Sequence, residues 1–194
     1  MRIGVLGLQG AVREHVRSLA RLGVEARIVK RESDLDGLSG LILPGGESTA
    51  ISLLASGGLL DRLRRMGKDR FPMFGTCAGM ILLAREVDGS PSPYIGAIDI
   101  GVKRNASGRQ VDSFETTLEV EGIGDDVPAV FIRAPYVVRL GDGVVPMAYH
   151  GESVVMAREG SVLVASFHPE LTEDLRVHSY FLGMVKERGK EDKG

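Results

Sequence analysis

Residues Phe71-Pro72-Met73-Phe74-Gly75 form a short apolar run that breaks off at Thr76-Cys77-Ala78-Gly79, and apolar residues at helical spacing follow over positions 80–87. A chain that passes from strand to helix within so few residues needs small neighbours at the bend, and Gly75-x-Cys77-x-Gly79 supplies them. The side chain at the apex of such an elbow is thrust clear of the sheet. The segment therefore demands an α/β fold in which one strand ends in an accessible thiol. That thiol would face the positive end of a helix beginning near Ala78, which favours thiolate, and the Ala78 amide would point where an oxyanion forms. A lone cysteine is ordinarily a buried, inert apolar residue, but the flanking glycines reverse that expectation.

The rest of the N-terminal half fits this demand. Residues 2–6 read as a strand, Gly7-Leu8-Gln9-Gly10 as a loop, and Val12, Val16, Leu19 and Ala20 as one face of a helix that Gly23 stops. Residues 24–29 and 41–43 are continuous apolar runs, as expected for strands buried on both faces, and a helix should extend to about Met66. Beyond Asp88 the pattern changes to β-branched runs at 98–103, 116–120, 130–133, 144–148, 153–157 and 162–166, separated by glycine-rich turns. A closing helix over 174–187 would bury Leu175, His178, Leu182 and Val185. The expected fold is an α/β three-layer sandwich with a mixed, mainly parallel central sheet and a β-rich C-terminal half. Residues 1–188 would form one domain and 189–194 a charged, frayed tail.

A thiol nucleophile needs a base, and His168 stands directly after the apolar strand 162–166, where strand ends gather sites in open sheets. Pro169 keeps the chain extended, so His168 and Glu170 can share one side, the carboxylate orienting the imidazole toward the thiol. His15 and His178 fall on helices and His150 beside a turn; with no acid or thiol evident near them in sequence, they are assigned structural roles. Pro44-Gly45-Gly46-Glu47-Ser48-Thr49 lets backbone amides approach a substrate and offers Glu47 to an ammonium group, while Ser48 and Thr49 are also fit to cap the next helix. The polar stretch 104–114 is long for a hairpin connection, and Arg104 and Arg133 are available to a carboxylate.

Other classes of function are excluded. The glycines of the first turn, Gly4-x-x-Gly7-x-x-Gly10, match neither a dinucleotide fingerprint nor a phosphate loop. A net charge of -2 without a basic stripe argues against nucleic acid. His, Cys and carboxylates do not cluster as metal ligands. At 194 residues, 43% hydrophobic and 26% charged, the chain can bury a core without staples, and its single cysteine precludes an internal disulfide. With no apolar leader and no run long enough to span a bilayer, a cytoplasmic location is expected.

The set Cys77, His168 and Glu170 resembles the triad of class I glutamine amidotransferases, whose glutaminase domains release ammonia through a thioester on a flavodoxin-like sheet. The resemblance narrows to the glutaminase subunits of pyridoxal 5'-phosphate synthase. It rests on Gly7-Leu8-Gln9-Gly10-Ala11-Val12-Arg13-Glu14-His15, on Leu43-Pro44-Gly45-Gly46-Glu47-Ser48-Thr49, on Arg104-Asn105 with Gly108-Arg109-Gln110-Val111-Asp112-Ser113-Phe114-Glu115, on Phe131-Ile132-Arg133-Ala134-Pro135 and on Ser166-Phe167-His168-Pro169-Glu170-Leu171-Thr172-Glu173-Asp174. It implies that Gly46 and Ala78 give the oxyanion amides, that Gly46, Glu47, Ser48, Arg104, Ile132 and Arg133 bind L-glutamine, and that no cofactor is needed. It also implies that ammonia passes to a synthase subunit within a large hetero-oligomer; Gln9 and Gly10 are the candidates for transmitting contact with that partner. Enzymes of the DJ-1/PfpI group also carry a cysteine elbow, but with an acid on the first strand and often a histidine just after the cysteine. Here those positions read Leu6-Gly7-Leu8-Gln9 and Ala78. A non-catalytic regulatory subunit is the remaining alternative, against which the intact triad argues.

Overall fold

The continuous apolar runs of the N-terminal half become short buried strands: β1 (Arg2–Leu6), β2 (Glu25–Val29), β3 (Gly40–Leu43) and β4 (Met73–Thr76). The computed structural model describes residues 1–8, 10–46, 58–91, 94–104 and 113–191. Further strands are β5 (Ala84–Val87), β6 (Ser90–Pro91), β7 (Ile98–Lys103), β8 (Phe114–Val120), β9 (Gly124–Phe131), β10 (Tyr136–Leu140), β11 (Val145–His150), β12 (Ser153–Glu159) and β13 (Val162–Ala165). The helices are α1 (Val12–Arg21), α2 (Leu59–Lys68), α3 (Ala78–Leu83) and α4 (Arg176–Glu191), with 3-10 turns at Glu32–Leu35 and Pro169–Leu171. Among the described residues no helix is long and apolar enough to cross a membrane.

The main sheet runs in the order β2-β1-β3-β4-β13-β12-β10-β7-β5-β6, with β11 also paired to β12. From β2 to β13 neighbours are parallel, and beyond β13 antiparallel pairings dominate. The parallel part has flavodoxin-type strand order, in which ligands sit beyond the carboxyl ends of the strands. Successive strand residues feed opposite layers. Leu41, Leu43 and Met73 pack with Leu59 and Leu63 of α2 on one face. Ile42 and Phe74 pack with Leu19 of α1 and Phe181 of α4 on the other. The two-stranded β8–β9 sheet adds Leu118, Val127, Ala129 and Phe131 to that second layer.

Three expectations change. The helix read over 80–87 ends at Leu83, and 84–87 form β5, whose Ala84 pairs with Ile98 and whose buried Val87 pairs with Val102. β10 was not anticipated, because its residues 138–140 face solvent and only Val137 reaches the core. The tail expected to fray from 189 continues α4 as far as Glu191.

Candidate active site

The carboxyl ends of β1, β3, β4 and β13 converge on one cleft. Cys77 lies between β4 and α3 with φ 49° and ψ -108°, a conformation that side chains rarely adopt and that functional sites tolerate. Its neighbours explain how the bend is held: a Cβ on Gly79 would fall 1.9 Å from the Leu43 carbonyl oxygen, and one on Gly75 would fall 2.6 Å from the Gly79 backbone. The Cys77 amide donates to the Ala165 carbonyl of β13 at 2.8 Å, fixing the apex beside the strand that leads to His168.

His168 leaves β13 through Ser166 and Phe167, and its amide donates to the Val130 carbonyl of β9 at 2.8 Å. The short turn Pro169–Leu171 then brings the Glu170 carboxylate back, with Oε1 2.8 Å from His168 Nδ1. Both are buried, at 7% and 4% exposure, so little water competes for this contact. Burial opposes charge on His168, but hydrogen bonds to Cys77 and Glu170, together with their charges, outweigh it and push its pKa up to about 10. Burial likewise opposes charge on Glu170, and His15 first and His168 next hold its carboxyl well below the usual range. An imidazolium in this place can stand beside a thiolate and give a proton to a leaving amine.

The cleft, of about 790 Å³, is lined by Gly10, Gly46, Cys77, Ala78, Arg104, Ile132, Arg133 and His168, so eight of the residues expected from sequence meet there. Glu170 lies behind His168, away from the opening. Ala11, Gly45, Ile81, Pro135 and Leu171 also line it and were not anticipated. Arg133 sits at φ 45°, just past the end of β9, and the Cys77 thiol is 3.8 Å from the Ile132 carbonyl. Arg104 is held by Asp88, which accepts from its Nε at 3.0 Å and from its amide at 2.9 Å. Gln9, Glu47 and Ser48 lie outside the described residues.

One assignment from sequence is overturned. His15, read as a helix residue with no acidic partner, places Nε2 3.5 Å from Glu170 Oε1 and 3.3 Å from Thr76 Oγ1, and its Nδ1 is 3.0 Å from His178 Nε2. Both rings are fully buried. Nothing in the spacing of three residues on separate elements signals their meeting; only α1 and α4 packing side by side on one face of the sheet does so. His150, in contrast, simply stacks on Phe114 and Phe131, with ring centroids 4.9 and 5.6 Å away.

A thiol, an imidazole and a carboxylate gathered at the carboxyl ends of parallel strands define a cysteine-dependent acyl-transfer enzyme of the α/β class. Comparison with known proteins sharpens this. Residues 5–187 match the SNO glutamine amidotransferase family, to which the chain belongs. It is 56% identical over 188 residues to the pyridoxal 5'-phosphate synthase subunit PdxT of Bacillus mycoides, covering 96% of each chain. It is 54% identical over 188 residues to the same subunit of Geobacillus kaustophilus, again over 96% of each. A crystal structure of a glutamine amidotransferase superposes with a TM-score of 0.89 at 51% identity, over 95% of this chain and 98% of that one. PurLQS from Thermotoga maritima, at 18% identity and a TM-score of 0.70 over 94% and 97% of the two chains, shares the fold. A DJ-1/PfpI-type hydrolase is accordingly not favoured.

Proposed function

We propose that Cys77, His168 and Glu170 form the catalytic triad of this glutaminase. The chain hydrolyses L-glutamine to L-glutamate and ammonia and supplies the ammonia for pyridoxal 5'-phosphate synthesis. Cys77 attacks the side-chain carboxamide, the amides of Gly46 and Ala78 receive the oxyanion, and His168 passes a proton to the departing ammonia. Water then releases glutamate from the thioester, with His168 as base and Glu170 holding its ring. Gly46, Glu47, Ser48, Arg104, Ile132 and Arg133 bind glutamine. The observation that carries this reading is the single cleft in which Cys77 and His168 face Gly46, Ala78, Arg104 and Ile132.

The finer parts of the reading follow from the family. Residues 1–188 act as one glutaminase domain in the cytoplasm, docked on a synthase subunit within a large hetero-oligomer. Gln9 and Gly10 transmit that contact to the oxyanion loop, which the backbone of Gly10 touches at Gly45. Cys77→Ala tests the assignment. Glutamine-dependent synthesis in the presence of the synthase subunit should fall by about 10⁴ or more, while added ammonium salts restore it. Retained glutamine-dependent synthesis would show that Cys77 is not the nucleophile.

A further inference from the structure

The mechanism uses one oxygen of Glu170 and leaves the remainder of its buried surroundings unexplained. Oε1 receives His168, whereas Oε2 is buried with no partner. A carboxylate 4% exposed with so few donors would ordinarily take up a proton, and His15 is the other group in reach. His15 comes from α1, at the opposite end of the chain from Glu170, and its Nε2 points into the gap between that carboxylate and the Thr76 hydroxyl. Thr76 in turn accepts from the Gly45 amide at 3.2 Å, so one imidazole sits between the carboxylate of the triad and the loop carrying Gly46.

The ring of His178 decides which nitrogen of His15 bears the hydrogen. Burial keeps His178 neutral, lowering its pKa to about 3, so it has a single ring hydrogen. Its Nδ1 is buried without a partner. A buried bare nitrogen is tolerated better than an orphaned N–H, so the hydrogen belongs on Nε2, which faces His15 Nδ1 at 3.0 Å. His15 Nδ1 then accepts, and the hydrogen of His15 is on Nε2, toward Glu170.

We propose that His15 is a positioning residue of the glutaminase, holding Glu170 ionised and in place from behind, with His178 fixing the orientation and tautomer of His15. The proposal rests on the triad reading above. The groups facing Glu170 are His168 after β13 and His15 on α1, with His178 on α4 and Cys77 one step further away. On the same elements Arg17 and Arg21 turn outward to Glu173, and the β9 acids Asp125 and Asp126 lie at its far end beside Arg176.

The test is the pH profile of glutamate release with the synthase subunit present. His15→Leu should lower kcat by roughly tenfold to a hundredfold with little change in KM, because His15 does not line the cleft. Its acid limb should move up by about one pH unit or more as Glu170 begins to protonate. His15→Gln, whose amide can donate toward Glu170 and accept from His178, should restore the limb. A uniform loss with an unmoved limb, or equal profiles for the two variants, would overturn the proposal. Nitrogen-15 spectra of the unaltered protein give a test free of folding defects: His15 should show a protonated Nε2 and a bare Nδ1, and a bare Nε2 would overturn it. Cys77→Ala in parallel keeps the two claims apart, since activity there refutes the triad itself.

Discussion

Gly10→Ala places a single methyl group against the oxyanion loop. Gly10 has φ +86°, and a Cβ there would lie 1.5 Å from the Gly45 carbonyl oxygen and 3.2 Å from Gly46 Cα. Both neighbours are backbone and cannot rotate aside. A carbon normally keeps about 3.3 Å or more from such an oxygen, so the segment must withdraw by roughly 2 Å. The left-handed backbone adds a cost of about 1–2 kcal/mol, enough to lower the melting temperature by several degrees without unfolding a chain of this size. An oxyanion amide displaced by that much is effectively lost, which corresponds to a fall of about 10²–10³ in kcat. Gly23→Ala is the control, because Gly23 also has a positive φ, +69°, but a Cβ there meets nothing within 4 Å. It should melt lower yet turn over normally. Steady-state glutamate release with the synthase subunit in excess, beside thermal melts of both variants, makes the comparison. If folded Gly10→Ala turns over within about threefold of the parent, the Gly45-Gly46 segment does not carry the oxyanion amide.

The triad also predicts an order of effects. Glu170→Gln, which leaves His168 its hydrogen-bond partner but removes the charge, should lower kcat less than His168→Asn, by roughly 10–100-fold, with KM for glutamine nearly unchanged in both; the reverse order in glutamate release would reject their roles. Stability should depend on pH in opposing ways. His178, lowered to about 3 from 6.5, contributes stability present above pH 6.5 and lost as pH falls toward 3, up to about 5 kcal/mol. His168, raised to about 10, contributes stability that is complete below pH 6.5 and lost as pH rises through 10. Melting temperature should therefore peak near pH 6.5 and fall on both sides, with His178→Phe flattening the acid side; a flat parental profile from pH 4 to 6.5 would contradict this.

What could be read from sequence was what local chemistry determines. The elbow glycines, the two-residue spacing of His168 and Glu170, and the continuous runs of β1, β3 and β13 each announce their roles within a few neighbouring residues. Residues 84–87 did not, because a short apolar run fits a helix or a strand until its partner is known, and its partner β7 lies across a turn. β10 is an exposed strand fixed by pairing with β7 and β12, not by its own pattern. The contact of His15 with Glu170 and His178 depends on α1 and α4 both packing over Phe74, whose ring lies 6.3 Å from His15 and 6.0 Å from His178. Such a meeting has no local signature.

The central claim is that Cys77 is the nucleophile of a glutamine-binding cleft, and covalent trapping tests it most directly. The chain, assembled with its synthase subunit, is treated with an electrophilic glutamine analogue and examined by intact mass and peptide mapping. The account predicts one adduct per chain, located on Cys77, suppressed by excess glutamine and greatly slowed in His168→Asn. Labelling that glutamine does not suppress, or an adduct that persists at full yield in Cys77→Ala, would contradict it.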